Sequence, residues 1–197
     1  LVVLHGTGGD ENDLLPLGPM IDPSANVLSP RGRVLENGAP RFFRRFAEGV
    51  FDLEDVRRRA DELTRWLDAA AANYALDRDL LLAVGFSNGA NVAAAAMILR
   101  PGACAGAILI RAMHTIDAVP QTRPRPAARA AALLLTGDAD PIVSAASADK
   151  LAAALTASGV TVDHRRIPSG HTLTRSDVDA AATWLGTVSG HGRPHSP

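Results

Sequence analysis

The sequence predicts an α/β fold in which helices cover both faces of a mostly parallel sheet. Three observations carry this. Short apolar runs alternate with longer segments of helical spacing along nearly the whole chain. The runs "LLLAV" (80–84), "AGAILI" (105–110) and "AALLLT" (131–136) lack polar alternation, the pattern of strands buried on both faces. Hydrophobic residues make up 47% of 197 positions, enough to build the core of one domain. That domain is expected to span 1–188. The Gly/Pro/Ser/His-rich stretch 189–197 reads as a frayed tail.

Taken in order, "LVVL" (1–4) and "NVLSP" (26–30) are strand candidates, the second ended by Pro30. The segment 52–76 is helical. Leu53, Val56, Ala60, Leu63, Leu67 and Ala71 share one face, and acids fill its first turn. The strand 80–84 leads into an Ala-rich helix, 90–100, that stops before Pro101. Two more buried strands follow. The segment 144–159 is a helix with Gly159 just past its end. "VTVDHRRI" (160–167) alternates, which suits a less buried strand near the sheet edge. A last helix covers 174–188. The span 31–51 has no assignment, and a loop that long in a small domain is usually functional.

Formal net charge is −1, so nothing draws the chain electrostatically to nucleic acid or to an anionic membrane. No apolar run is long enough for a transmembrane helix. The single cysteine, Cys104, excludes an internal disulfide and reads as a small buried residue. A cytoplasmic location fits this usage. The chain opens in mid-strand without Met, so preceding residues, and any targeting signal among them, are expected to be missing. No His/Cys/acid cluster has metal-ligand spacing, and no metal or cofactor is expected.

Chemistry is concentrated at "GFSNGAN" (85–91). Glycine weakens strands and helices, so two of them flanking one serine need a reason. A Gly-x-Ser-x-Gly between a buried strand and a helix resembles the nucleophile elbow of α/β-hydrolases. Its tight turn lifts the serine out at the carboxyl end of the sheet, and Gly85 and Gly89 leave room for it. Ser87 is therefore the candidate nucleophile. Such a serine needs a base and an orienting acid, which in this fold follow it in the order acid, then His. "TGDADPIV" offers Asp138 and Asp140; we favour Asp140, which precedes Pro141, and read Asp138 as a loop or cap residue. Of six histidines, His5 and His114 come too early. His164 lies inside a strand pattern, and His191 and His195 are in the tail. His171, in the turn "PSGHTLT", is the candidate base. The oxyanion donors are expected to be the backbone N–H of Asn88 and, from the Gly-rich loop "HGTGG", that of Thr7. His5 would tie that loop down.

Together "LHGTGGDENDLLPL", "LSPRG", "RFFRRFAEGVFD", "GFSNGAN", "GAILIRAM", "GDADPIV" and "GHTLT" resemble the phospholipase/carboxylesterase family of α/β-hydrolases. The likeness is to its bacterial carboxylesterase branch, related to acyl-protein thioesterases, and covers residues 1 to about 188. It implies a small fold without a lid domain, no cofactor, and Ser87, Asp140 and His171 as the triad, with Thr7 and Asn88 as oxyanion donors. The missing start implies that the earliest strands of the sheet are absent or shortened here. "RAMHTIDAVPQTRPRPAAR" (111–129) departs from the family in being rich in Pro and Arg.

The expected activity is hydrolysis of small or short-chain carboxylic esters through an acyl-enzyme on Ser87, with a small-molecule ester as the only required partner. An acyl-thioesterase or lysophospholipase would use the same triad, an acyltransferase the same acyl-enzyme. A hydrolase-fold protein that binds a small ligand without turnover is a further reading. For the pocket wall we single out Leu14, Leu15, Phe42, Phe43 and Met113. Phe42, Phe43 and Phe46 equally suit packing of the 31–51 loop onto the sheet. Arg41, Arg44 and Arg45 suit salt bridges better than a substrate acid. Oligomeric state is not legible, and a homodimer is left open.

Overall fold

The structure is a computed structural model that describes residues 1–118 and 130–189. The Arg/Pro-rich departure falls partly outside these, at 119–129, and so do tail residues 190–197. The elements in chain order are β1 (Val2–Leu4), α1 (Leu17–Ile21), β2 (Val34–Glu36), β3 (Ala39–Arg41), β4 (Arg45–Ala47), β5 (Val50–Phe51), α2 (Leu53–Tyr74), β6 (Leu82–Phe86), α3 (Asn88–Leu99), β7 (Gly106–Ile110), β8 (Ala131–Gly137), α4 (Ala145–Ala157), β9 (Thr161–Ile167) and α5 (Arg175–Ser189).

Five strands form one sheet in the order β1-β6-β7-β8-β9, every pair parallel. Successive side chains of a strand point to opposite faces, so each central strand feeds two apolar layers. Leu4, Ala83, Leu109 and Leu134 pack with α2, α3 and α4 on one face. Val3, Val84, Ile108, Leu133 and Leu135 pack with α1 and α5 on the other. This double cover explains the unbroken apolar runs. β9 is an edge strand, and its side chains are mostly half-exposed, in keeping with its alternation.

Local chemistry sets the helix ends. Asp52 caps α2, accepting from the Asp55 N–H, and Ser144 caps α4, accepting from the Ser147 N–H. The helix α3 is buried on all sides save its last residue, as an Ala-rich helix wedged between sheet and α2 must be. Cys104 is also buried, which pushes its thiol up to about 11 and makes it a poor nucleophile.

Two expectations need correction. "NVLSP" is not a strand: Leu28 alone pairs with β1, through a single bridge to Val2. The expected loop at 31–51 is two antiparallel hairpins, β2-β3 and β4-β5. Asn37 (φ 51°) and Gly38 (φ +85°) form the first turn, both left-handed as a tight two-residue hairpin requires. The arginines there are paired: Arg41 and Arg45 with Glu36, Arg45 also with Glu48, Arg44 with Asp52.

Candidate active site

Ser87 sits between β6 and α3 with φ 50° and ψ −114°, a sparsely populated conformation for a residue with a Cβ. The surrounding backbone holds it there. Its N–H donates to the Ile110 carbonyl at 2.9 Å, and its carbonyl accepts from the Asn91 N–H at 2.9 Å. The two glycines are sterically required. A Cβ on Gly85 would lie 2.5 Å from the Ala90 nitrogen. One on Gly89 would lie 2.6 Å from the His5 carbonyl oxygen and closer still to that of Leu4. The first turn of α3 thus rests directly on the end of β1, where the Gly-rich loop begins.

The structure brings Ser87, His171 and Asp140 together. His171 Nε2 is 3.0 Å from Ser87 Oγ, and His171 Nδ1 is 2.8 Å from Asp140 Oδ2. A carboxylate only accepts, so Nδ1 carries the proton and Nε2 is free to accept from the serine hydroxyl. The Asp140 side chain is fully buried. Its Oδ1 accepts from the N–H groups of Ile142 (2.8 Å) and Val143 (3.0 Å). Burial alone would push its carboxyl up. Those two N–H groups and the His171 ring outweigh burial and hold it below the ordinary aspartate range. The Phe86 ring lies 5.5 Å from the His171 ring and shields one side of it.

The other candidates fall as follows. Asp138 accepts from the Ser169 N–H at 3.2 Å and so fastens the loop that carries His171. His164 is in β9, its Nε2 3.1 Å from Thr136 Oγ1. His5 is buried, and its Nε2 accepts from the Gly32 N–H at 2.9 Å. Thr7 is exposed in the Gly-rich loop, and Asn88 is the first residue of α3. Among the described residues neither backbone N–H is taken by another backbone group. Glycine at position 8 (φ +86°) turns this loop, its N–H bonded to the Pro40 carbonyl at 3.0 Å.

The pocket residues separate. Phe43 is completely buried, its ring edge-on to Phe51 at 5.5 Å, so it belongs to the core and not to a pocket wall. Phe42 lies nearly buried with its ring 4.7 Å from that of His5. Met113 packs against Val143 and Ala148. Leu14 packs onto the α1–α5 layer, while Leu15 is 40% exposed. The side chains of Asn88 and Asn91 were not anticipated as anchors. Asn88 Oδ1 accepts from the Phe42 N–H at 2.7 Å, and Asn91 Oδ1 from the Met113 N–H at 2.9 Å. The elbow thereby fixes the two segments beside it. Arg111, Ser169 and Asp177, which bond to one another around the His171 loop, were missed as well. Asp177 had a signal, since Thr174-x-x-Asp177 before an apolar run is the capping-box pattern.

A parallel sheet with helices on both faces, and a serine on a strand-to-helix turn at its carboxyl end, define the α/β-hydrolase class. The comparisons agree. A crystal structure of the Bacillus cereus carboxylesterase superposes with a TM-score of 0.84 at 42% identity, over 94% of this chain and 86% of that one. A carboxylesterase from Mesorhizobium loti gives a TM-score of 0.85 at 32% identity, over 94% and 87%. In sequence, MhqD of Bacillus subtilis (strain 168) is 40% identical over 186 residues, 93% of this chain and 90% of its own length. The model of the phospholipase/carboxylesterase family matches residues 46–189. The chain belongs to that family.

Proposed function

We propose that the protein is a serine carboxylesterase acting on small or short-chain carboxylic esters through an acyl-enzyme on Ser87. The observation that carries this reading is the unbroken hydrogen-bond chain from Ser87 Oγ through the His171 ring to Asp140. His171 Nε2 takes the serine proton as Oγ attacks the ester carbonyl. The backbone N–H groups of Thr7 and Asn88 receive the oxyanion. His171 then protonates the leaving alcohol and activates water to cleave the acyl-enzyme. Asp140 holds the Nδ1–H tautomer and stabilises the imidazolium; its lowered pKa keeps it ionised for that task. Phe42 and Met113, both fastened to the elbow, flank the acyl group. Among the described residues no helical cap domain stands over Ser87, which favours small substrates over long chains.

The test is hydrolysis of p-nitrophenyl esters from acetate to palmitate, with Ser87→Ala as control. Turnover that peaks at short chains and falls by several orders of magnitude in Ser87→Ala is the expected result. Activity surviving in Ser87→Ala would overturn the mechanism. A preference for acyl-thioesters or lysophospholipids would keep the three residues and change the substrate. Ligand binding without any turnover by folded protein would leave a binding protein.

A further inference from the structure

We propose that Arg111 is a positioning residue for the reaction: it locks the loop carrying His171 onto the strand end that also holds Ser87. This rests on the reading of Ser87, His171 and Asp140 given above.

Arg111 follows β7, has no exposed surface, and has a left-handed backbone, φ 56°. Both features are unfavourable for an arginine, by desolvation of its charge and by crowding of its Cβ. What its guanidinium reaches offsets them. Nε donates to the Gly170 carbonyl at 2.9 Å, and Nη2 to the Thr172 carbonyl at 3.1 Å. These are the carbonyls on either side of His171. Nη2 also donates to Ser169 Oγ at 2.6 Å, and Nη1 to the Leu135 carbonyl at 3.3 Å. The charge is balanced by Asp177, itself fully buried, through a bidentate pair of 2.8 and 2.9 Å. Asp177 Oδ2 also accepts from the Thr174 N–H at 2.8 Å and Thr174 Oγ1 at 2.7 Å, which caps α5. The His171 loop is therefore clamped along its length, from Ser169 to Thr174.

The same strand end holds the nucleophile. The Ile110 carbonyl, one residue before Arg111, accepts the Ser87 N–H. So one dipeptide, Ile110–Arg111, sets the distance between serine and imidazole. Gly137 belongs to this arrangement, because a Cβ there would lie 2.5 Å from the Ser169 carbonyl, 2.6 Å from that of Gly170 and 3.2 Å from Arg111 Nε. Lysine could keep an ion pair with Asp177, but one ammonium cannot form a planar fork to two carbonyls and a hydroxyl at once.

Arg111→Lys and Ser169→Ala test this, assayed on a short p-nitrophenyl ester well below each variant's Tm, beside Ser87→Ala. A displacement of about 1 Å between reacting groups costs on the order of 100-fold in rate. Arg111→Lys is therefore expected to lose about that in kcat with KM unchanged. The low-field proton NMR line of His171 Nδ1–H should broaden in parallel. A merely structural role would lower Tm and leave kcat of the folded protein and that line as they were; this result overturns the proposal. If Arg111→Lys does not fold, Ser169→Ala decides: a reduced kcat at constant KM supports the clamp, and wild-type kcat with a sharp line refutes it. Turnover retained by Ser87→Ala would instead bring down the catalytic reading beneath it, so the two failures are distinguishable.

Discussion

Gly89→Ala adds one methyl group where the backbone leaves no room. The new Cβ would stand 2.5 Å from the Leu4 carbonyl carbon and 2.6 Å from the His5 carbonyl oxygen. Ordinary contacts of this kind lie at about 3.5–4.0 Å, so α3 and the end of β1 must part by about 1 Å. All the atoms in the way are main chain, and no side chain can swing aside. Overpacking of this kind costs about 1–3 kcal/mol. In a chain of this length that lowers Tm by about 2–12 °C. The greater effect falls on the site. Ser87 opens the moving helix, and the shift pulls it against its N–H bond to Ile110, at the strand end to which the His171 loop is clamped. A shift of about 1 Å between Ser87 and His171 costs on the order of 100-fold in turnover. The assay is p-nitrophenyl ester hydrolysis together with thermal unfolding. Gly186→Ala is the control: it lies in α5 with open space where its Cβ would go. Replacing a glycine within a helix by alanine should gain about 1 kcal/mol, raising Tm by about 2–4 °C with turnover unchanged. Wild-type turnover and Tm in Gly89→Ala would refute the steric account of the elbow.

Two other outcomes are expected. Asp140→Asn should keep the contact with His171 but favour the wrong tautomer, lowering kcat about 10⁴-fold; steady-state kinetics check this, and a loss below tenfold would remove Asp140 from its role. Asp140 and Asp55 both have folded pKa values held below the ordinary range. Burial opposes this in each, and it is outweighed by backbone N–H donors, with His171 at one and Arg58 and Arg59 at the other. Their stabilising contribution is complete above the unfolded aspartate value of about 3.9 and is lost as pH falls through the folded values. Acid titration followed by circular dichroism should show Asp55→Asn with a smaller loss of stability on acidification than wild type; an identical acid limb would contradict the assignment.

The sheet and its helices were legible because burial on two faces writes itself as unbroken apolar runs, as at 105–110 and 131–136. The meeting of Ser87, Asp140 and His171 was legible because the fold fixes their order and each lies in the turn or loop that follows a strand of the sheet. Residues 26–30 failed because one Leu-centred bridge and a full strand have the same local composition. The hairpin at 34–41 carried a visible Asn37-Gly38 signal that the surrounding arginines and Pro40 masked. Phe43 could not be placed, since an aromatic in a loop reads alike whether it lines a pocket or fills a core. The partners of Arg111 were beyond reach for a different reason. Asp177 is 66 residues away, and nothing in the local context "ILIRAM" (108–113) says which distant acid a charged strand end will meet.

The two asparagines of the elbow have a consequence for how this protein can change. Each grips its neighbouring segment by a main-chain N–H, that of Phe42 or of Met113, and not by a side chain. Any residue except proline can supply such a donor. The side chains at 42 and 113 can thus be exchanged while these main-chain bonds hold the segments to α3, and under the proposed function these are the positions where a library aimed at new acyl preferences should begin.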